Sequence, residues 1–128
     1  MTLETMRPDP VFDAESYGDT VETLAQFDDL TYIVWGGDWC GDCRKQLPEF
    51  GAALDAAGIS DDRIEEIPVE KLDDGSKEGP KVEKYGIEYI PTVVVLQDGE
   101  EVARFVEEEP VPIAVYLADE IRAYFDEN

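Results

Sequence analysis

Histidine is absent from this 128-residue chain, cysteine occurs twice and lysine five times. A closed structural zinc site takes four ligands, usually Cys or His. Two cysteines fall two short, so such a site would need carboxylates, or a dimer sharing two pairs. Basic residues are few, 10 Lys+Arg against 32 Asp+Glu, for a net charge of −22. Phosphate binding needs a basic surface, which argues against nucleic acid as a partner. An anionic membrane face would repel the chain as well. Long apolar runs are missing: nothing approaches the ~20 residues of a membrane span. The opening MTLETMRPDP lacks the apolar core of a signal peptide. The expectation is a cytoplasmic protein with no membrane partner. There is no internal repeat and no low-complexity linker. Length and a 43% hydrophobic content predict one domain over 1–128 with one core. A domain of this size folds without a disulfide staple, which leaves the cysteines free for chemistry.

What is present in excess is acid, spread from Asp9 and Asp13 through Asp61, Asp62, Asp73 and Asp74 to Asp126 and Glu127. A docking patch for a polycationic partner would be local, whereas this excess is global. At low ionic strength such charge pushes a fold apart. Near 1 M salt the screening length shrinks to ~3 Å and much of the repulsion disappears. The composition resembles that of proteins from extreme halophiles, and a salt-rich cytoplasm is the expected setting.

Residues 1–12 carry Pro8 and Pro10 without periodicity and read as an irregular lead-in or a short first strand. Tyr17, Val21 and Leu24 fall at helical spacing within 16–27, with Asp13 or Ser16 as cap. The run TYIVW at 31–35 reads as a buried strand ended by Gly36 and Gly37. Cys43, Leu47, Phe50, Leu54 and Ala57 mark one face of a helix from Cys40 to Ala57, closed by Gly58. Pro48 inside it predicts a kink. A strand is predicted over 64–69, with Pro68 at an edge or end, and a helix over 76–85, closed by Gly86. A strand at 92–96, an Asp98-Gly99 turn and a strand at 101–106 make a hairpin. Ile113, Tyr116, Leu117, Ile121, Tyr124 and Phe125 give a final amphipathic helix. Strand–helix–strand implies a parallel crossover, and the late hairpin adds an antiparallel edge.

Trp39-Cys40-Gly41-Asp42-Cys43 falls where a strand meets a helix. Disulfide exchange needs a thiolate attacker. A helix N-terminus offers unpaired N–H groups and a positive dipole end that favour one. Two intervening residues set the second sulfur one turn deeper, so Cys40 reads as the exposed attacker and Cys43 as the shielded resolver. Two core cysteines without chemistry, and the shared zinc site, are the alternatives. The Asp42 carboxylate beside Cys40, with Asp38 on the other side, disfavours the thiolate, while Arg44 and Lys45 oppose both from one turn along. Asp42 thus reads as a modulator that keeps the pair reducing.

WCGDC resembles the WCGPC centre of thioredoxins. Tyr85-Gly86-Ile87, followed by Tyr89-Ile90-Pro91-Thr92, resembles that family's YGI…IPT segment, and the hairpin and last helix follow in the family's order. The resemblance covers about residues 20–126. It implies an α/β, thioredoxin-like fold, a mixed β-sheet flanked by helices on both faces. It also implies a thiol–disulfide oxidoreductase reducing protein disulfides through Cys40 and Cys43, without metal or organic cofactor. A disulfide reductase upstream and oxidised client proteins downstream are its implied partners, and the chain is expected to act as a monomer. A thioredoxin-fold interaction module with one client and little general turnover is the alternative.

Site roles follow from the same resemblance. Pro91 is implied to be a cis-proline facing the dithiol, turning the backbone of Ile90 outward to pair with an extended substrate strand. Trp39 is implied to pack beside the site and contact substrate. Taken alone, Pro91 also suits the start of a strand, and Trp39 an ordinary half-buried aromatic. Three positions depart from the pattern. Val34 stands where thioredoxins carry a buried acid, Glu66 falls near the place of its lysine partner, and Glu107 near that of a groove-lining glycine. The first two leave open how the resolving thiol loses its proton, with Asp42 as nearest replacement or as a solvated turn residue. Glu107 points to an altered client range.

Overall fold

The computed structural model describes residues 3–27, 29–37, 40–71, 77–79, 81–106, 109 and 111–127. Its elements are α1 (Gly18–Gln26), β1 (Thr31–Gly36), α2 (Gly41–Ala56), β2 (Ile64–Pro68), β3 (Glu70–Lys71), β4 (Lys77–Glu78), α3 (Val82–Tyr85), β5 (Thr92–Gln97), β6 (Glu100–Val106) and α4 (Ile113–Glu127). The main sheet runs β2-β1-β5-β6. β1 and β2 are parallel, with Val34 opposite Glu66, and β5 is antiparallel to both β1 and β6. The fold is thus the mixed, helix-covered sheet of the thioredoxin-like class.

Alternation along β1 sorts the two faces. Tyr32 meets Phe50 of α2 edge-on, and Phe105 of β6 meets Tyr116 of α4 in the same way. Trp35 points the other way, onto Tyr85 of α3 at 5.3 Å between ring centroids. α1 packs against both α2 and α4. Arg122 of α4 ties α1 and α4 together by donating to the Asp19 carbonyl and the Thr23 hydroxyl. The strands are apolar because both faces are covered: Val93, Val94 and Val95 are all fully buried.

Punctuation in the chain does what its chemistry dictates. Gly58 takes φ 76°, with Gly58 N–H on the Asp55 carbonyl and Ile59 N–H on that of Leu54, the paired bonds that close an α-helix through a left-handed residue. Asp98 and Gly99 both have positive φ, as a two-residue hairpin turn matched to strand twist requires. α2 runs through Pro48 without a break, and the Pro48 carbonyl accepts the N–H of Asp9 at 3.0 Å.

One expected element changes, and the open reading of the lead-in is decided for the irregular one. The helix over 76–85 shrinks to Val82–Tyr85, and Lys77–Glu78 instead forms a short ladder with Glu70–Lys71. Gly79-Pro80 explains this, because a residue before proline is driven out of the helical region. The lead-in forms a 3₁₀ turn at Glu4–Met6 and no strand within 3–12. It lies over α2, where the Met6 carbonyl comes so close to Gly51 that a Cβ there would stand 2.2 Å from its oxygen.

Candidate functional site

β1 ends at Gly36, and α2 begins five residues later with Cys40 as its N-cap residue in extended conformation. Cys40 is half-buried, and its N–H bonds the Gly37 carbonyl at 3.1 Å. Its Sγ lies 3.9 Å from the Ile90 carbonyl oxygen, within reach of a weak S–H donor bond. A residue 50 positions away in sequence thereby faces the thiol.

Cys43 sits in the first turn of α2 and is fully buried. Gly36 makes the room: a Cβ there would stand 2.9 Å from Leu47 Cδ1, 3.4 Å from Leu3 Cδ1 and 3.5 Å from Cys43 Sγ. Burial pushes the Cys43 thiol up to about 12. A bond from the Gly37 N–H works against that rise, while the adjacent Cys40 sulfur and the Asp42 charge add to it. The two thiols are both free. One is reachable and the other enclosed, one helical turn apart.

The opposing wall is the segment before β5. The Ile90–Pro91 bond is cis, and both residues are buried. Thr92 Oγ1 donates to the Tyr89 carbonyl at 2.6 Å and closes this turn. The Tyr89 side chain is 51% exposed, and Val106, paired with Thr92 across the β5–β6 ladder, is also partly exposed. At the far end of the segment, Arg104 donates to the Tyr85 carbonyl at 2.8 Å and anchors the end of α3.

Asp42 is exposed and lines a cleft between α2 and the start of α4. Val34 is fully buried. Glu66, opposite it in register, is half-buried and accepts the Leu3 N–H at 2.9 Å. Trp39 and Glu107 lie outside the described residues. Among the described residues no group of three or more His, Cys, Asp or Glu side chains is placed to hold a metal ion, and no helix is long and apolar enough to cross a membrane. Leu3, Gly36 and Gly37 shape the surroundings of Cys43, and none stands out from sequence. Gly36 and Gly37 read there only as strand terminators, and nothing marked Leu3.

The Thioredoxin family profile matches residues 12–119. Among curated proteins, thioredoxin of Chlamydia trachomatis is 28% identical over 96 residues, covering 75% of this chain and 81% of that protein. Protein disulfide-isomerase A3 of Gallus gallus is 31% identical over 87 residues, 67% of this chain. The match spans only 16% of that much longer relative. Among solved structures, a Nicotiana alata thioredoxin superposes with TM-score 0.55 at 21% identity, covering 92% of this chain and 95% of that one. For Fasciola hepatica thioredoxin the values are 0.54 and 21%, with 84% and 93% covered.

Proposed function

We propose, since the chain belongs to the thioredoxin family, that it reduces protein disulfides by thiol–disulfide exchange at Cys40 and Cys43. The observation that carries this reading is the pair itself: a half-buried thiol at the N-cap of α2 facing the Ile90 carbonyl, and an enclosed thiol one turn deeper. Cys40, as thiolate, attacks one sulfur of a client disulfide and expels the other as a thiolate. The Cys43 thiol gives its proton to solvent, attacks Cys40 Sγ, forms the Cys40–Cys43 disulfide and releases the client's second thiolate. Two electrons pass to the client, and a disulfide reductase restores the dithiol.

In this reading the client lies extended against Ile90 and cis-Pro91, pairing with the Ile90 backbone, with Trp39 beside it and Asp42 modulating the attacker. The protein works as a monomer in a salt-rich cytoplasm, and its acid surface serves solvation there. Insulin reduction driven by dithiothreitol tests the activity. Turbidity should appear with the native chain and vanish with Cys40→Ser.

A second reading has one observation behind it. Cys43 is enclosed, and burial pushes its thiol up to about 12, so it is slow to become a thiolate. A module that captures one client and turns over slowly fits such a resolver. Native chain without turbidity, together with a stable mixed disulfide on Cys43→Ser, would favour it.

A further inference from the structure

A cleft of 340 Å³ opens beside the dithiol, between α2 and the start of α4. Its floor is apolar: Phe50 and Ile113 are buried beneath it, and Val111 is 37% exposed along it. Its rim carries three carboxylates, Asp42, Glu49 and Glu109, against one cation, the exposed Lys45. The Glu49 charge keeps the Tyr17 phenol protonated to higher pH, which places the two side chains within electrostatic reach. We propose that this cleft takes an Arg or Lys side chain of the client, two to four residues from the client's cysteine.

The shape and the charge point to the same occupant. A long basic side chain has an aliphatic stem that lies on apolar surface and a cationic head that seeks carboxylates. An acidic side chain would meet the three carboxylates, and a purely aliphatic one would leave them unanswered. The position sets the spacing. Asp42 stands two residues past Cys40 on α2 and Glu49 nine, so at ~1.5 Å per residue the cleft spans roughly 3–14 Å along the helix from the attacker. An extended client advances ~3.3 Å per residue, which places its second to fourth neighbour there. The acid excess of the chain is general, but an apolar floor under an acid rim that begins two residues past Cys40 is local.

This proposal rests on the redox reading, and the test separates the two. The probes are heptapeptides with one central cysteine, activated as the thionitrobenzoate disulfide, carrying Arg, Ala or Glu three residues to either side. Chromophore release by the reduced chain is followed at about 0.15 M and about 1 M salt. The Arg peptide should outpace the Glu peptide about tenfold at the lower salt, with a residual preference at the higher. The ratio should collapse in Glu49→Gln/Glu109→Gln and persist in the distant pair Asp61→Asn/Asp62→Asn. Equal rates for Arg and Glu, or equal loss of preference in both double variants, overturn the cleft and leave only bulk charge. If even the Ala peptide releases nothing, the redox reading fails by itself. Calorimetric titration with serine-for-cysteine Arg and Glu peptides then decides the cleft: tighter Arg binding upholds it, and equal affinity overturns it.

Discussion

Raising the pH of the reduced protein from 8 to 10 should expose the enclosed state of Cys43 as lost stability. Burial pushes this thiol up to about 12, against an ordinary value of 9.0. The sign follows from proton counts. Between the two values the unfolded chain releases the proton while the folded chain keeps it, so the unfolded state binds fewer protons and stability falls as pH rises. The contribution is flat below pH 9 and lost progressively from there up to about 12. For one group titrating at 9.0 in the unfolded chain and not at all in the folded one, the loss between pH 8 and 10 is about 1.4 kcal/mol. That magnitude needs only a folded value well above ten.

Urea unfolding of the reduced native chain and of Cys43→Ala, at both pH values, isolates the effect. Cys40, the tyrosines and the acid surface are common to both chains. The volume removed with the sulfur shifts the variant by a constant that cancels between pH values. The native chain should lose about 1.4 kcal/mol more than Cys43→Ala. Parallel pH profiles would falsify the reasoning. They would mean that the Gly37 N–H holds a Cys43 thiolate inside the fold at ordinary cost.

Four further outcomes follow from the same packing. Brief iodoacetamide treatment of the reduced chain should label Cys40, half-buried, and spare Cys43, fully buried; mass mapping showing the reverse would exchange attacker and resolver. Gly36→Ala places a methyl 2.9 Å from Leu47 Cδ1 and 3.5 Å from Cys43 Sγ, and should cost about 1–3 kcal/mol in urea unfolding, with insulin reduction slowed as well; native stability in the variant would show that the site yields freely. Tyr32→Phe should leave the free energy of urea unfolding unchanged or raise it, because among the described residues the buried Tyr32 hydroxyl finds no hydrogen-bond partner; a loss above about 1 kcal/mol would reveal one. Melting temperature should climb along a potassium chloride series as the charge of −22 is screened, and a flat series would return the acid surface to a polycationic partner.

Local chemistry made much of this fold legible. Gly58 after an apolar helical stripe, Asp98-Gly99 between alternating strands, and two cysteines at a strand-to-helix junction each carry their reason within a few residues. The helix expected at 76–85 failed because its apolar positions, Val82 and Tyr85, support one turn only, and Gly79-Pro80 forbids the rest. Nothing local could announce the cleft, since it joins Asp42–Phe50 to a segment about 60 residues further on. The same holds for Leu3. Only the folded chain brings it against Gly36, beside Cys43, with its N–H on Glu66.

That last contact links the site's departures from the family pattern. Glu66 is the carboxylate on the strand next to Val34, and it sits opposite Val34 in register. Its oxygen is taken by the Leu3 N–H, and the Leu3 side chain fills space that borders Gly36 and Cys43. Apolar atoms of Leu3 therefore stand on the Gly36 side of Cys43. In the proposed exchange reaction a protonated Cys43 would resolve slowly, because exchange proceeds through the thiolate. Slow resolution would lengthen the life of a mixed disulfide on Cys40, and contacts flanking the client's cysteine would then decide which clients stay. The proposed cleft would act in that interval, so enclosure of one thiol and recognition of a basic neighbour would work toward the same restricted range of clients.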